Sequence, residues 1–197
     1  MVQKKYLFSI ITISSLLVFT SCPPKRETLY MTDEFKSYVM FPTGSYWIYE
    51  DSLSGIIDSN YLQGQRISII ESDDYNINFE YLVQYYSNDG DFNISGGNVV
   101  GIDNTNNKLI LFYRLSITGE FCSDIMINET IWGLSYVGYY EEFILNENIY
   151  KSVKVFICGR IILYWAKDIG LIRFEKYSTI NDPDPLEIWN LIRYHIN

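Results

Sequence analysis

The sequence predicts an all-β domain: one antiparallel meander whose sheet is strongly curved or closes into a half-open barrel. Three observations predict it. Apolar and polar residues alternate with period two between positions 77 and 85, as a half-buried strand requires. Short turn sequences recur between apolar runs, among them Asn88-Asp89-Gly90-Asp91, Gly96-Gly97 and Asn181-Asp182-Pro183-Asp184-Pro185. Aromatic residues make up 17% of the chain, with 18 tyrosines, and such rings cover a pleated surface well.

In chain order, the first 21 residues stand apart. Lys4 and Lys5 form a positive start, an apolar stretch runs from Tyr6 to Phe19, and Thr20 and Ser21 lead into Cys22. No acidic residue occurs in the first 22 positions. This is the layout of a secretory signal peptide. The apolar run falls short of the about 20 residues that span a bilayer, so a cleaved leader is expected rather than a permanent membrane helix. The segment Leu17-Val18-Phe19-Thr20-Ser21-Cys22 resembles the lipobox of bacterial lipoproteins, with Phe19 departing from the usual leucine. That resemblance implies cleavage before Cys22 and a diacylglycerol on its thiol, with acyl chains such as palmitate as the membrane anchor. Two or three acyl chains hold stably where one binds only reversibly. An ordinary secreted protein with a coincidental cysteine is the plainer alternative.

Residues 22–37 read as the lipidated cysteine and a flexible tether. They begin Pro23-Pro24-Lys25-Arg26-Glu27 and carry no strong periodicity. The β domain is expected over 38–197. Its clearest strand places Ile77, Phe79, Tyr81, Val83 and Tyr85 on one face, with Asn78, Glu80 and Gln84 on the other and Leu82 as an exception. Val153, Val155 and Ile157 alternate more weakly with Ser152, Lys154 and Phe156. Further strands are expected at Ser45–Asp51, Leu62–Glu71, Asn98–Ile102, Lys108–Leu115, Arg160–Ala166, Leu171–Tyr177 and Glu187–Ile196. Asn128–Phe143 stays open between a short helix and a loop. Gly170, between two apolar runs, suits a tight turn or bulge. Trp47 and Tyr49 share a face and read as core anchors, with ligand stacking as the alternative.

Two segments carry a second resemblance. Phe41-Pro42-Thr43-Gly44-Ser45-Tyr46-Trp47-Ile48-Tyr49-Glu50-Asp51 resembles the opening strand of small envelope lipoproteins of the Bacteroidota, matched at Pro42, Trp47 and Tyr49. Tyr164-Trp165-Ala166-Lys167-Asp168-Ile169-Gly170-Leu171-Ile172 and Trp189-Asn190-Leu191-Ile192-Arg193-Tyr194 look like the end of the same domain. The resemblance implies compartment and fold, and it implies no catalytic residue.

Removing the leader leaves 176 residues, enough for one domain with a sizeable core. The leader holds two of 15 basic residues and none of 24 acidic ones, so the remainder carries 13 against 24, a net of −11. Such a surface repels phosphate backbones, so nucleic acid is not an expected partner. It also disfavours flat contact with anionic lipid. Cys122 and Cys158 form either a disulfide, permitted in an envelope compartment, or two buried thiols.

The chain offers little to catalysis. His195 is its single histidine and is expected on an edge strand near the C-terminus, where it reads as a surface residue rather than a catalytic one. Asp89-Gly90-Asp91-Phe92-Asn93-Ile94-Ser95 begins like a calcium loop, then places Ile94 where glycine belongs and Val100 where the bidentate glutamate belongs, so a hairpin turn is expected. Glu141-Glu142 and Asp73-Asp74 are adjacent pairs that strand geometry points to opposite faces, unlike a facing glycosidase couple. No Cys/His metal cluster, P-loop, GxGxxG or GxSxG occurs. No catalytic residue, metal or cofactor is therefore expected.

The sequence reading is a non-enzymatic lipoprotein, lipid-anchored through Cys22 to an envelope membrane, the outer rather than the inner, and facing the periplasm or cell surface. Its role would be an interaction or accessory module with an envelope protein as partner. A carrier of a lipid or other apolar ligand in a curved sheet is the alternative, followed by a hydrolase using loop carboxylates.

Overall fold

A computed structural model describes residues 25–88, 90, 94–103, 108–117, 120–125 and 136–197, with backbone alone from 94 to 125 and at Tyr136. The domain is all-β: the described residues form twelve strands in one strongly curved sheet, with one short helix. The strands are β1 (Glu27–Leu29), β2 (Tyr46–Asp51), β3 (Ile57–Ser72), β4 (Ile77–Asn88), β5 (Ile94–Asp103), β6 (Lys108–Ile117), β7 (Glu120–Ile125), β8 (Tyr136–Leu145), β9 (Asn148–Cys158), β10 (Ile161–Ala166), β11 (Gly170–Lys176) and β12 (Glu187–His195). The helix, α1, spans Asp33–Val39.

The sheet order is β7-β6-β5-β4-β3-β2-β12-β11-β10-β9-β8. Each neighbour on that path is antiparallel, and all neighbours are consecutive in the chain except β2 and β12. β1 stands off the path and pairs parallel with the start of β4, Glu27 opposite Ile77. Because direction alternates, the β3–β4 and β8–β9 turns lie at one end of the sheet. The β2–β3 and β9–β10 turns lie at the other.

The helix explains the curvature. Thr32 caps it, its hydroxyl oxygen accepting from the Phe35 amide at 3.1 Å, and Asp33 and Glu34 complement the positive end in the first turn. Extended backbone at Met40 ends it, two residues before Pro42. Phe35, Tyr38 and Val39, spaced three and four apart, form its buried face. On one side the Gln84 amide of β4 donates to the Val39 carbonyl at 2.7 Å, and Lys36 pairs with Glu80 at 3.3 Å. On the other side the Tyr38 hydroxyl donates to the Ser152 carbonyl of β9 at 2.9 Å, and the Trp165 indole of β10 donates to the Tyr38 carbonyl at 2.7 Å. Four strands separate β4 from β10 in the sheet, so one seven-residue helix reaches both only if the sheet wraps around it.

This corrects the expected tether at 22–37. From Glu27 onward the segment is folded: β1 joins the sheet, Met31 is buried, and Phe35 has no exposed surface. Its polar residues misled because a two-turn helix needs only one apolar stripe, too short to read as a period. The helix also accounts for Leu82. β4 buries both faces, with Ile77 and Phe79 on one, and Leu82 and Gln84 beneath α1 on the other. At the far end of the expected period-two face, Tyr85 is exposed.

The other expected strands are present, several longer than anticipated. β7 lies in a stretch with no strand expected, and β8 takes up the end of the open 128–143 segment. Gly170 starts β11 at φ +99° and lies against the Phe41 ring, and the adjacent β10–β11 register slips between Tyr164 and Trp165. A tight, left-handed entry to a strand is what glycine supplies there. Among the described residues no helix is long and apolar enough to cross a membrane.

Candidate functional site

The sequence-singled residues fall into three groups. Cys22 lies outside the described residues, as do Asp89, Asp91 and Asn93 of the calcium-like loop. Cys158 ends β9 and is disulfide-bonded. The side chain of Cys122 is outside the described set. Its strand β7, the opposite extreme of the sheet order, comes beside β9 across the opening of the curl.

His195 is exposed, stacks on Tyr46 at 5.7 Å, and its Nε2 meets the Asn197 side chain at 3.2 Å. Glu141 and Glu142 are exposed on β8, and Asp73 is bound by Arg26 at 2.8 Å. Among the described residues no three His, Cys, Asp or Glu side chains gather as a metal site.

Trp47 and Tyr49 are core anchors. The Trp47 indole donates to the Ile169 carbonyl at 2.6 Å, and the Tyr49 hydroxyl donates to the Leu171 carbonyl at 2.9 Å. Burial, then the neighbouring Tyr86 and Tyr150, push the Tyr49 phenol well up, so it stays a neutral donor. These rings, with Phe41, Tyr86 and Trp165, line a cleft of about 10 Å³. That is room for about one water and not for an acyl chain. Around this cleft the core is filled by its own side chains, and a more open pocket of about 280 Å³ lies between the start of β9 and the end of β12.

A half-buried polar and aromatic cluster was not visible as a motif. On the face of β11 opposite Phe174, the Arg173 guanidinium donates to Glu175 at 2.6 Å and to the Asn190 side-chain oxygen at 3.1 Å. The Tyr177 hydroxyl donates to the other Glu175 oxygen at 2.8 Å. Arg173 also lies 5.7 Å from the Tyr164 ring centre, Tyr164 packs on Phe143 at 5.1 Å, and Phe143 on Tyr140 at 5.4 Å. The result is an aromatic and guanidinium ribbon across β8, β10 and β11. Burial, then Glu175, raise the Tyr164 and Tyr177 phenols to about 12. Both Glu175 oxygens are therefore held, one by the Arg173 guanidinium and one by the Tyr177 hydroxyl. Sequence reasoning missed the ribbon because Phe143, Tyr164 and Arg173 come from three strands, joined only by register.

Compared with protein-family models, curated proteins and solved structures, the chain matches none.

Proposed function

We propose that this chain is a lipid-anchored lipoprotein of the bacterial cell envelope, acting there as a non-enzymatic interaction or accessory module. The observation that carries the reading is the run Leu17-Val18-Phe19-Thr20-Ser21-Cys22 behind a charged start and an apolar stretch. The ribbon of Tyr140, Phe143, Tyr164 and Arg173 supports a docking role, since its polar groups are already paired and its rings offer area at low entropic cost. The bonded state of Cys158 agrees with an oxidising compartment.

Intact mass spectrometry of the membrane-extracted protein, beside a Cys22→Ala variant, tests the anchor. A chain starting at Cys22 with added acyl mass, lost in the variant, is the expected result. An unlipidated chain in the soluble fraction would sink the reading.

A further inference from the structure

We propose that the end of the domain formed by β1 and the β3–β4 turn faces the lipid surface, with the rim carrying the β2–β3 turn held away from it. This rests on the reading of Cys22 as the acylated residue. The chain enters the fold beside the β3–β4 turn, because Glu27 pairs with Ile77, the first residue of β4. Arg26 adds to this, holding Glu71 at 3.1 Å and Asp73 at 2.8 Å. Only residues 23–26 lie between Cys22 and Glu27. Five residue steps of extended chain reach about 17 Å at most.

The opposite rim is far beyond that reach. β3 runs 16 residues from Ile57 to Ser72, and a strand of that length covers about 50 Å along its path. The β2–β3 turn therefore stands a strand's length from the tether. The start of β12 stands with it, since the Ser52 amide donates to the Ile188 carbonyl at 2.8 Å. A short tether fixed at one end of an elongated sheet orients the whole domain, whereas a long one would let it tumble.

The chemistry at the anchored end selects the surface. Glu71, Asp73 and Asp74 cluster there with Arg26. Carboxylates are repelled by anionic lipid and tolerate the ammonium groups of a zwitterionic headgroup. A zwitterionic bilayer is thus the occupant of this end. At the outward rim Leu53 and Ile56 of the β2–β3 turn, and Leu186 just before β12, stay clear of the membrane.

The test uses the full acylated chain in phosphatidylcholine vesicles containing spin-labelled headgroup lipid. A fluorescent amino acid is placed at Asp74 or at Leu53, both exposed turn positions. Quenching at position 74 is expected to exceed that at position 53 at least threefold. Equal or reversed quenching, in a sample whose intact mass shows the acyl chains, overturns the orientation and leaves the anchor standing. Absence of acyl mass overturns both. Inserting a Gly/Ser linker of about 20 residues after Pro24 is expected to erase the difference. A difference that survives the insertion would refute the short tether as its cause.

Discussion

Phe35→Ala asks whether the segment after Cys22 is a linker or part of the fold. Phe35 sits in the middle of α1 with 0% of its surface exposed, in the same core as Leu62, Leu82 and Trp165. Truncating a fully buried phenylalanine removes its transfer free energy and leaves a cavity, together about 3–5 kcal/mol. Domains of ordinary size are stable by about 5–15 kcal/mol, so this is a fifth or more of the total. At about 2–4 °C per kcal/mol, Tm should fall by about 6–20 °C. Urea unfolding followed by tryptophan fluorescence measures it directly. Trp165 is a local reporter, since its indole donates to the Tyr38 carbonyl of the same helix. The denaturation slope should be unchanged while the midpoint falls. Lys25→Ala, at an exposed position outside the helix, is the control, expected within about 0.5 kcal/mol of the parent. A Phe35→Ala loss no larger than that control would refute the reasoning and return residues 27–37 to the role of a linker.

Three further outcomes are expected. Asp51 is 6% exposed and accepts from the amides of Leu53, Ser54 and Ile188 and from the Ser54 hydroxyl, tying the β2–β3 turn to β12. Asp51→Ala should cost about 2–3 kcal/mol in thermal unfolding and speed hydrogen exchange at the Ile188 amide; unchanged exchange would mean the tie does not operate. Burial raises the Glu34 carboxyl, but Lys154 and Lys167 more than offset it, so its pKa lies below the ordinary 4.5. A depressed folded value contributes stability above pH 4.5 that is lost as pH falls through the folded pKa. Glu34→Gln should therefore flatten the acid side of the stability profile, and a variant with the parent's acid limb would contradict the pairing. Finally, Cys122→Ser should expose one free thiol at Cys158, and losing a loop of about 36 residues should cost about 3–4 kcal/mol in the chain-entropy picture. A bond persisting at Cys158 in that variant would assign its partner elsewhere.

The strand composition of this protein is a local property, and the residues declare it. Val, Ile, Tyr and Phe recur between polar turns, and the β2, β4, β10, β11 and β12 segments follow directly from that alternation. Trp47 and Tyr49 were legible as a shared buried face for the same reason, because period two fixes which side chains point together. The helix was not legible, since seven residues present too few apolar positions to establish a period and its burial comes from strands over forty residues away. Nor was β1, three residues long and held only by pairing with β4. The ribbon of Phe143, Tyr164 and Arg173 depends on cross-strand register, and the curl depends on α1 touching β4 and β10 at once. Sequence alone determined the all-β class and the expectation of an anchor at Cys22. Tertiary structure decided where the domain begins, what fills the curl and which side chains meet on its outside, because those outcomes are set by contacts between segments that local chain preference does not encode.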